Sequence, residues 1–208
     1  LALKLGIDNI YSILTQYGFG KKTNIDLPGE AQGLVPNRQW KEQQGSTWYK
    51  GDTIITGIGQ GSQLATPVQM ASSLSLLARG GKTTQLHLLA KHIDSENTIY
   101  YNENKPLAHV TTHNNYWNLI RTAMSDVIKF GTGRKVKSNL FDLAGKTGTA
   151  QLIKNSGKDQ GYAKHLLDHS WFIGFTPVEK PNLTITVLLE HENGAVLVAK
   201  SILDDYYQ

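Results

Sequence analysis

Apolar residues recur along this chain with two different periods, and the change between them divides it. In "LALKLGIDNIYSILTQYGFG", Leu1, Leu5, Ile10, Ile13 and Leu14 recur at helical spacing, and Gly18 and Gly20 end the run. "TNIDLPGEAQGLVPN" follows as an ordered loop, rich in Gly, Pro, Asn and Asp. "QWKEQQGSTWYKGD" reads as polar surface, with Trp40 and Trp48 as anchors packed on the core. "ATPVQMASSLSLLARGG" predicts a punctuated helix. Thr66 is the N-cap, Pro67 the first helical residue and Gln69 the partner in a capping box. Met70, Leu74 and Leu77 share a face, and Gly80 stops the helix. "LLAKHIDSENTIYYN" alternates as a small hairpin turning at Asp94 to Asn97. "NNYWNLIRTAMSDVIKFGTG" predicts a helix with Trp117, Ile120, Met124 and Val127 inward and Gly131 beyond its end.

The period then falls to two. Residues 140–152, 169–175 and 183–190 read as strands, and a last helix runs from about Ala195 to Tyr206 with Val198, Ile202 and Tyr206 as its stripe. The connections between these strands are too short for crossover helices. An antiparallel sheet with helices packed on it, an α+β fold, is the layout that follows.

Composition narrows the function classes. The chain has 208 residues, 39% hydrophobic and 18% charged, enough to fold around a core. The net charge is +4, but no Lys/Arg run is long enough for a nucleic-acid patch. Lys21-Lys22 and Arg134 to Lys137 read as solvated faces, and the mild positive excess suits an anionic substrate. The absence of cysteine excludes a disulfide framework and a thiol nucleophile. No stretch is apolar enough to span a membrane and no signal peptide opens the chain. The chain opens at Leu1, already in helical period and without a capping residue, as a piece of a longer protein would.

The stretch "LAGKTGTAQ", Leu143 to Gln151, carries the candidate chemistry. Glycine weakens a strand unless a backbone or ligand must come close. Here Lys146 supplies a positive charge, Thr147 and Thr149 supply hydroxyls, and Gly148 removes a side chain that would block a ligand lying along the strand. The Thr149 N–H can point at a developing oxyanion. The plainer reading is a surface strand with a salt-bridging lysine.

Lys-Thr-Gly is one of three signatures of penicillin-binding proteins and class A β-lactamases. "YGFGKKTNIDLPGEAQGLVP", "GDTIITGIGQGSQLATPVQMA", "LAGKTGTAQ" and "HSWFIGFTP" resemble, in order and spacing, the C-terminal half of the class B penicillin-binding proteins. The likeness is nearest to the branch that cross-links peptidoglycan during rod-shape elongation, and it covers essentially the whole chain. The resemblance implies a penicillin-binding transpeptidase/β-lactamase-like fold, antiparallel sheet flanked by helices, with residues 1–208 as the C-terminal part of a single transpeptidase domain. It implies a D,D-transpeptidase in which a Ser-x-x-Lys serine takes the acyl group of a stem peptide and passes it to a neighbouring amine. Lys146, Thr147, Gly148 and Thr149 would bind the substrate, the Thr149 N–H serving as an oxyanion donor. Peptidoglycan stem peptides, β-lactam antibiotics, a glycan polymerase and scaffold proteins of the elongation complex are the implied partners. No cofactor, metal or nucleic acid is implied. The implied location is the periplasmic face of the bacterial inner membrane, held by an upstream anchor.

One departure matters. No serine in the chain has a lysine three residues on, so the nucleophile is expected outside these 208 residues. Ser95-Glu96-Asn97 imitates the family's Ser-x-Asn motif from a hairpin turn, and Ser125-Asp126-Val127 lacks the asparagine. The resemblance makes "GIGQG", Gly57 to Gly61, a turn near the active site rather than a phosphate loop. His165 and His169 stand four apart like zinc ligands, but the glutamate of His-Glu-x-x-His is missing. Asp204 and Asp205 read as a solvated pair. A noncatalytic peptidoglycan-binding or scaffold domain that keeps Lys-Thr-Gly is the alternative.

Overall fold

The computed structural model describes residues 1–102, 105–107, 109–151 and 167–208. Contacts divide the chain into two compact units, Leu1–Gly57 with Gly61–Thr111 and Ile58–Gln60 with Thr112–Gln208.

The first unit holds the short helices α1 (Ala2–Leu5), α2 (Ile7–Gln16), α3 (Arg38–Gln43) and α4 (Lys50–Thr56), the longer α5 (Pro67–Ala78), and a hairpin of β1 (Lys91–Ile93) with β2 (Ile99–Tyr101). Gly6, at φ 75°, breaks the expected first helix in two and resets its phase. Ile7 and Ile10 are therefore buried, while Leu1, Leu5 and Ile13 face outward. The segment expected as polar surface contains α3 and α4. Asn37 caps α3 by accepting from the Trp40 N–H at 2.7 Å. Trp48 donates from Nε1 to the Thr53 hydroxyl at 2.8 Å, and Lys41 pairs with Asp52 while lying over the Trp48 and Tyr49 rings. The Lys41 ammonium, and then the Tyr49 N–H, hold the Asp52 carboxyl below its ordinary pKa. The hairpin turns at Asp94 to Asn97, with Asn97 at φ 63°. Ser95-Glu96-Asn97 is thus an exposed turn.

Helix α5 begins as expected, with the Thr66 hydroxyl accepting from Gln69 N and Gln69 Oε1 accepting from Thr66 N. Its buried face is different: Gln69, Ser73, Leu74, Leu76 and Ala78 are buried, and Met70 and Leu77 only half so. Gln69, 1% exposed, turns inward because its amide also donates to the carbonyls of Lys21 and Gln32, at 2.7 and 2.8 Å. The glycine-rich loop is ordered accordingly. The Glu30 carboxylate accepts from Thr23 N, Thr23 Oγ1 and Asn24 N.

The second unit contains α6 (Asn114–Lys129), a 3-10 turn at Arg134–Val136, a three-stranded antiparallel sheet and α7 (Ala195–Tyr207). The sheet order is β3 (Ala144–Ala150), β4 (His169–Thr176), β5 (Leu183–Leu189), with β4 in the middle. The register sets Lys146 opposite Ile173, Thr147 opposite Phe172, and Phe172 opposite Val187. One sheet face carries Phe172, Leu183, Ile185, Val187 and Leu189, packed with Ala195, Ala199 and Leu203 of α7, Val136, and Ile128 of α6.

This corrects the expected stripe on α7. Val198, Ile202 and Tyr206 are 39–65% exposed, and the buried row is one residue later, Ala195, Ala199 and Leu203. Two alanines let the helix backbone lie close to the sheet, which a row of larger side chains would prevent. On α6, Trp117, Ser125 and Ile128 are buried, Met124 and Val127 half-buried and Ile120 exposed. Residues 140–143 precede β3 as coil instead of extending it: Phe141 leans on Tyr207 and Asp142 accepts from the Val178 N–H at 3.0 Å. Residue 152, the expected end of that strand, lies outside the described residues. Asp204 forms an ion pair with Lys200 one turn earlier and is not simply solvated, whereas Asp205 is exposed. Arg134 and Lys135 are exposed as expected, around a fully buried Val136.

Candidate functional site

Strand β3 pairs with β4 along one side, and its other side is an edge among the described residues. That edge is where the candidate residues collect. In an antiparallel ladder alternate residues turn both backbone polar groups to the same neighbour. The Thr149 carbonyl points away from β4, since it accepts from the side chain of Gln60. Thr147 and Gly145 share that phase, so their N–H and C=O groups, with the Thr149 N–H, line the open edge.

The two glycines beside Lys146 have different reasons to be glycine. A Cβ on Gly145 would lie 2.7 Å from the Ile173 carbonyl oxygen and 2.8 Å from Phe172 Cζ. Gly145 is there so that the Phe172 ring can pass under the strand. A Cβ on Gly148 would meet only Trp171 Cβ, at 3.3 Å. That position points to nearly open space, on the same face of β3 as Lys146.

Lys146 is exposed, and its Nζ donates to the Thr147 carbonyl at 2.6 Å, which brings the ammonium round to the open edge. Among the described residues it forms no ion pair, so the plainer reading of a salt-bridging surface lysine finds no carboxylate partner there. The Thr147 hydroxyl shares a 2.8 Å hydrogen bond with the hydroxyl of Thr132, from the turn after α6. Gln60 grips the far end of the edge: its Nε2 donates to the Thr149 carbonyl at 2.7 Å, and its Oε1 accepts from the Gln151 N–H at 3.2 Å. An exposed cation, hydroxyls and outward N–H groups beside an empty glycine position can hold a carboxylate and place an amide carbonyl along the strand.

Thr132 and Gln60 were not singled out from the sequence. The "GIGQG" turn carries Gln60, and Gln60 is its contact with β3. For Thr132 the only signal was its place in a Gly-Thr-Gly turn.

Other candidates are weaker. Ser125 is buried in α6 at 4% exposure. His169 opens β4 and accepts from the His191 N–H at 2.9 Å, while His165 lies outside the described residues. Among the described residues no group of three His, Asp or Glu side chains is placed to hold a metal ion. A cavity of about 260 Å³ in the first unit is lined by Tyr11, Lys21, Gln32, Asn37, Trp40 and Gln43 among others, and no acid–base pair faces it. No helix among the described residues is long and apolar enough to cross a membrane.

The family model for the penicillin binding protein transpeptidase domain matches residues 1–208. The peptidoglycan D,D-transpeptidase MrdA of Acinetobacter baumannii is 39% identical over 98% of this chain and 32% of its own length. MrdA of Salmonella typhimurium is 34% identical over 100% of the chain and 35% of its own length. The chain thus spans about a third of these relatives. Penicillin-binding protein 2 of Pseudomonas aeruginosa, solved in complex with WCK 5153, superposes with a TM-score of 0.80 at 33% identity, over 99% of this chain and 45% of that one. Penicillin-binding protein 2 of Helicobacter pylori, solved in complex with MreC, gives 0.81 at 33% identity, over 99% and 37%. A chain from a peptidoglycan synthase complex that coordinates polymerization and crosslinking gives 0.75 at 29% identity, over 95% and 32%.

Proposed function

The chain belongs to the penicillin-binding protein transpeptidase family, and on that premise we propose that it is the substrate-clamping part of a peptidoglycan D,D-transpeptidase working through a serine acyl-enzyme. One observation carries the reading: the ammonium of Lys146, the hydroxyl of Thr147 and the outward N–H of Thr149 lie along one open strand edge, beside the space at Gly148.

The chemistry distributes over those groups. A stem peptide ending in D-Ala-D-Ala lies along the edge of β3, its terminal carboxylate held by Lys146, Thr147 and the Thr149 hydroxyl. The nucleophilic serine attacks the penultimate carbonyl, and the oxygen that gains charge is met by the Thr149 N–H. The C–N bond breaks, the terminal D-alanine leaves with a proton on its amine, and an ester to serine remains. An amine of a neighbouring stem attacks that ester, and the serine leaves with its proton restored. The serine and its lysine lie outside residues 1–208, where no Ser-x-x-Lys occurs. β-Lactams acylate the same serine.

The intact protein is placed at the periplasmic face of the inner membrane, held by a segment outside this chain. A scaffold protein like the MreC bound by the Helicobacter relative, and a glycan polymerase, are its proposed partners. Benzylpenicillin treatment of the intact protein, followed by intact-mass and peptide mapping, tests the assignment. One adduct on a serine outside residues 1–208 is expected, and an adduct on a serine within them would overturn it.

A further inference from the structure

The amide of Gln60 makes the two hydrogen bonds that a neighbouring strand would make. It donates to the Thr149 carbonyl at 2.7 Å and accepts from the Gln151 N–H at 3.2 Å. A side-chain carboxamide has the donor and acceptor of a peptide group, so here it replaces one rung of a ladder. Its own placement is built: Gly59 at φ 73° and Gly61 at φ 82° flank it, a backbone that presents one side chain from a tight turn. Gln60 is half-buried, 89 residues before the carbonyl it binds, so the contact is tertiary and not a local accident.

We propose that Gln60 is a positioning residue for acyl transfer: it closes the open edge of β3 just past Thr149 and holds the strand there flat, so that the Thr149 N–H stays aimed at the oxyanion position. The proposal rests on the reading given under Proposed function. Without Gln60, the Thr149 carbonyl and Gln151 N–H fall to water, and the strand is free to twist where it must be straight. The oxyanion forms both when the acyl-enzyme is made and when it is broken. A poorly aimed N–H therefore slows both steps, whereas ground-state binding, which rests on Lys146 and the hydroxyls, is spared.

The test uses the intact protein and benzylpenicillin, with Gln60→Ala and Gln60→Glu. Both the acylation and the deacylation rate constants are expected to fall by about tenfold in Gln60→Ala, with Ks within about twofold of wild type. Gln60→Glu conserves size but sets a carboxylate against the Thr149 carbonyl. It is expected to be at least as slow at neutral pH, and to recover relative to wild type as the pH falls and the carboxyl gains a proton to donate. Amide hydrogen exchange at Gln151 is the second readout, and it should quicken in Gln60→Ala. Rate constants within twofold of wild type, or a loss confined to Ks, overturn the proposal. If the wild-type protein forms no adduct, the transpeptidase reading fails, and exchange at Gln151 alone decides on Gln60. Quickened exchange then supports the edge closure and unchanged exchange overturns it.

Discussion

Gly145 and Gly148 flank the same dipeptide, yet the structure gives them opposite sensitivities. In Gly145→Ala the new methyl would sit 2.7 Å from a carbonyl oxygen of the central strand and 2.8 Å from the rim of the Phe172 ring. Neither can yield. The carbonyl belongs to the β4 backbone, and Phe172 is fully buried among Val187, Ala199 and Leu203. Overpacking of this kind costs about 1–3 kcal/mol. For a domain of about 200 residues each kcal/mol lowers Tm by about 2–4 °C. In Gly148→Ala the methyl approaches only Trp171 Cβ at 3.3 Å, which a shift of a few tenths of an ångström relieves. Replacing glycine at an extended position also restricts the unfolded chain, an offset of about 0.4–1 kcal/mol. Tm should therefore stay within about 2 °C of wild type. Acylation reverses the order. The Gly148 methyl occupies the face of β3 that carries Lys146, where a misplacement of about 1 Å costs on the order of 100-fold in rate. Thermal unfolding and stopped-flow acylation by benzylpenicillin, run on both variants of the intact protein, give a crossed pattern if the assignment holds. If Gly148→Ala loses as much Tm as Gly145→Ala, or acylates at the wild-type rate, the open space at Gly148 is not a ligand's place.

Two further outcomes are expected. Lys146→Ala removes a charge-assisted hydrogen bond to a carboxylate, worth about 2–3 kcal/mol, and should lower acylation efficiency by roughly 30- to 150-fold; a rate constant within threefold of wild type would take Lys146 out of the site. Asp52, held below its ordinary pKa of 3.8 by Lys41 and the Tyr49 N–H, contributes stability that is fully present above that value and is lost as the pH falls through the lower folded-state value. The Tm gap between wild type and Asp52→Asn should accordingly be constant above about pH 5 and shrink below about pH 4, and a gap that does not change across that range would exclude the ion pair as its source.

Local grammar was readable in this sequence, and long-range placement was not. Thr66, Pro67 and Gln69 announce the start of α5 because a capping box is settled by four consecutive residues. The hairpin turn at Asp94 to Asn97 is local in the same way. Helices α3 and α4 escaped because six or seven residues cannot show a repeat, and their anchors, Trp48 to Thr53 and Lys41 to Asp52, lie partly across the loop between them. The α7 stripe was misplaced because alanine scores as weakly apolar in a pattern, yet it is the residue that lets a helix settle close on a sheet. Lys146, Thr147 and Gly148 were legible as one strand's worth of chemistry. Gln60 and Thr132 reach that strand from 89 and 15 residues away, and no periodicity records such a contact.

Gln69 has a consequence for how the first unit comes apart. Its amide is fully buried only while the carbonyls of Lys21 and Gln32, 48 and 37 residues earlier, are in place to receive it. Were the glycine-rich loop to lift alone, the amide at the start of α5 would lose two of its three hydrogen bonds, a cost of about 1–3 kcal/mol. Opening of the loop and fraying of the helix are thereby tied into a single event. The loop should exchange its amide hydrogens at the rate of the helix beneath it, as one cooperative foldon, and not at the fast rate that its glycines and prolines suggest.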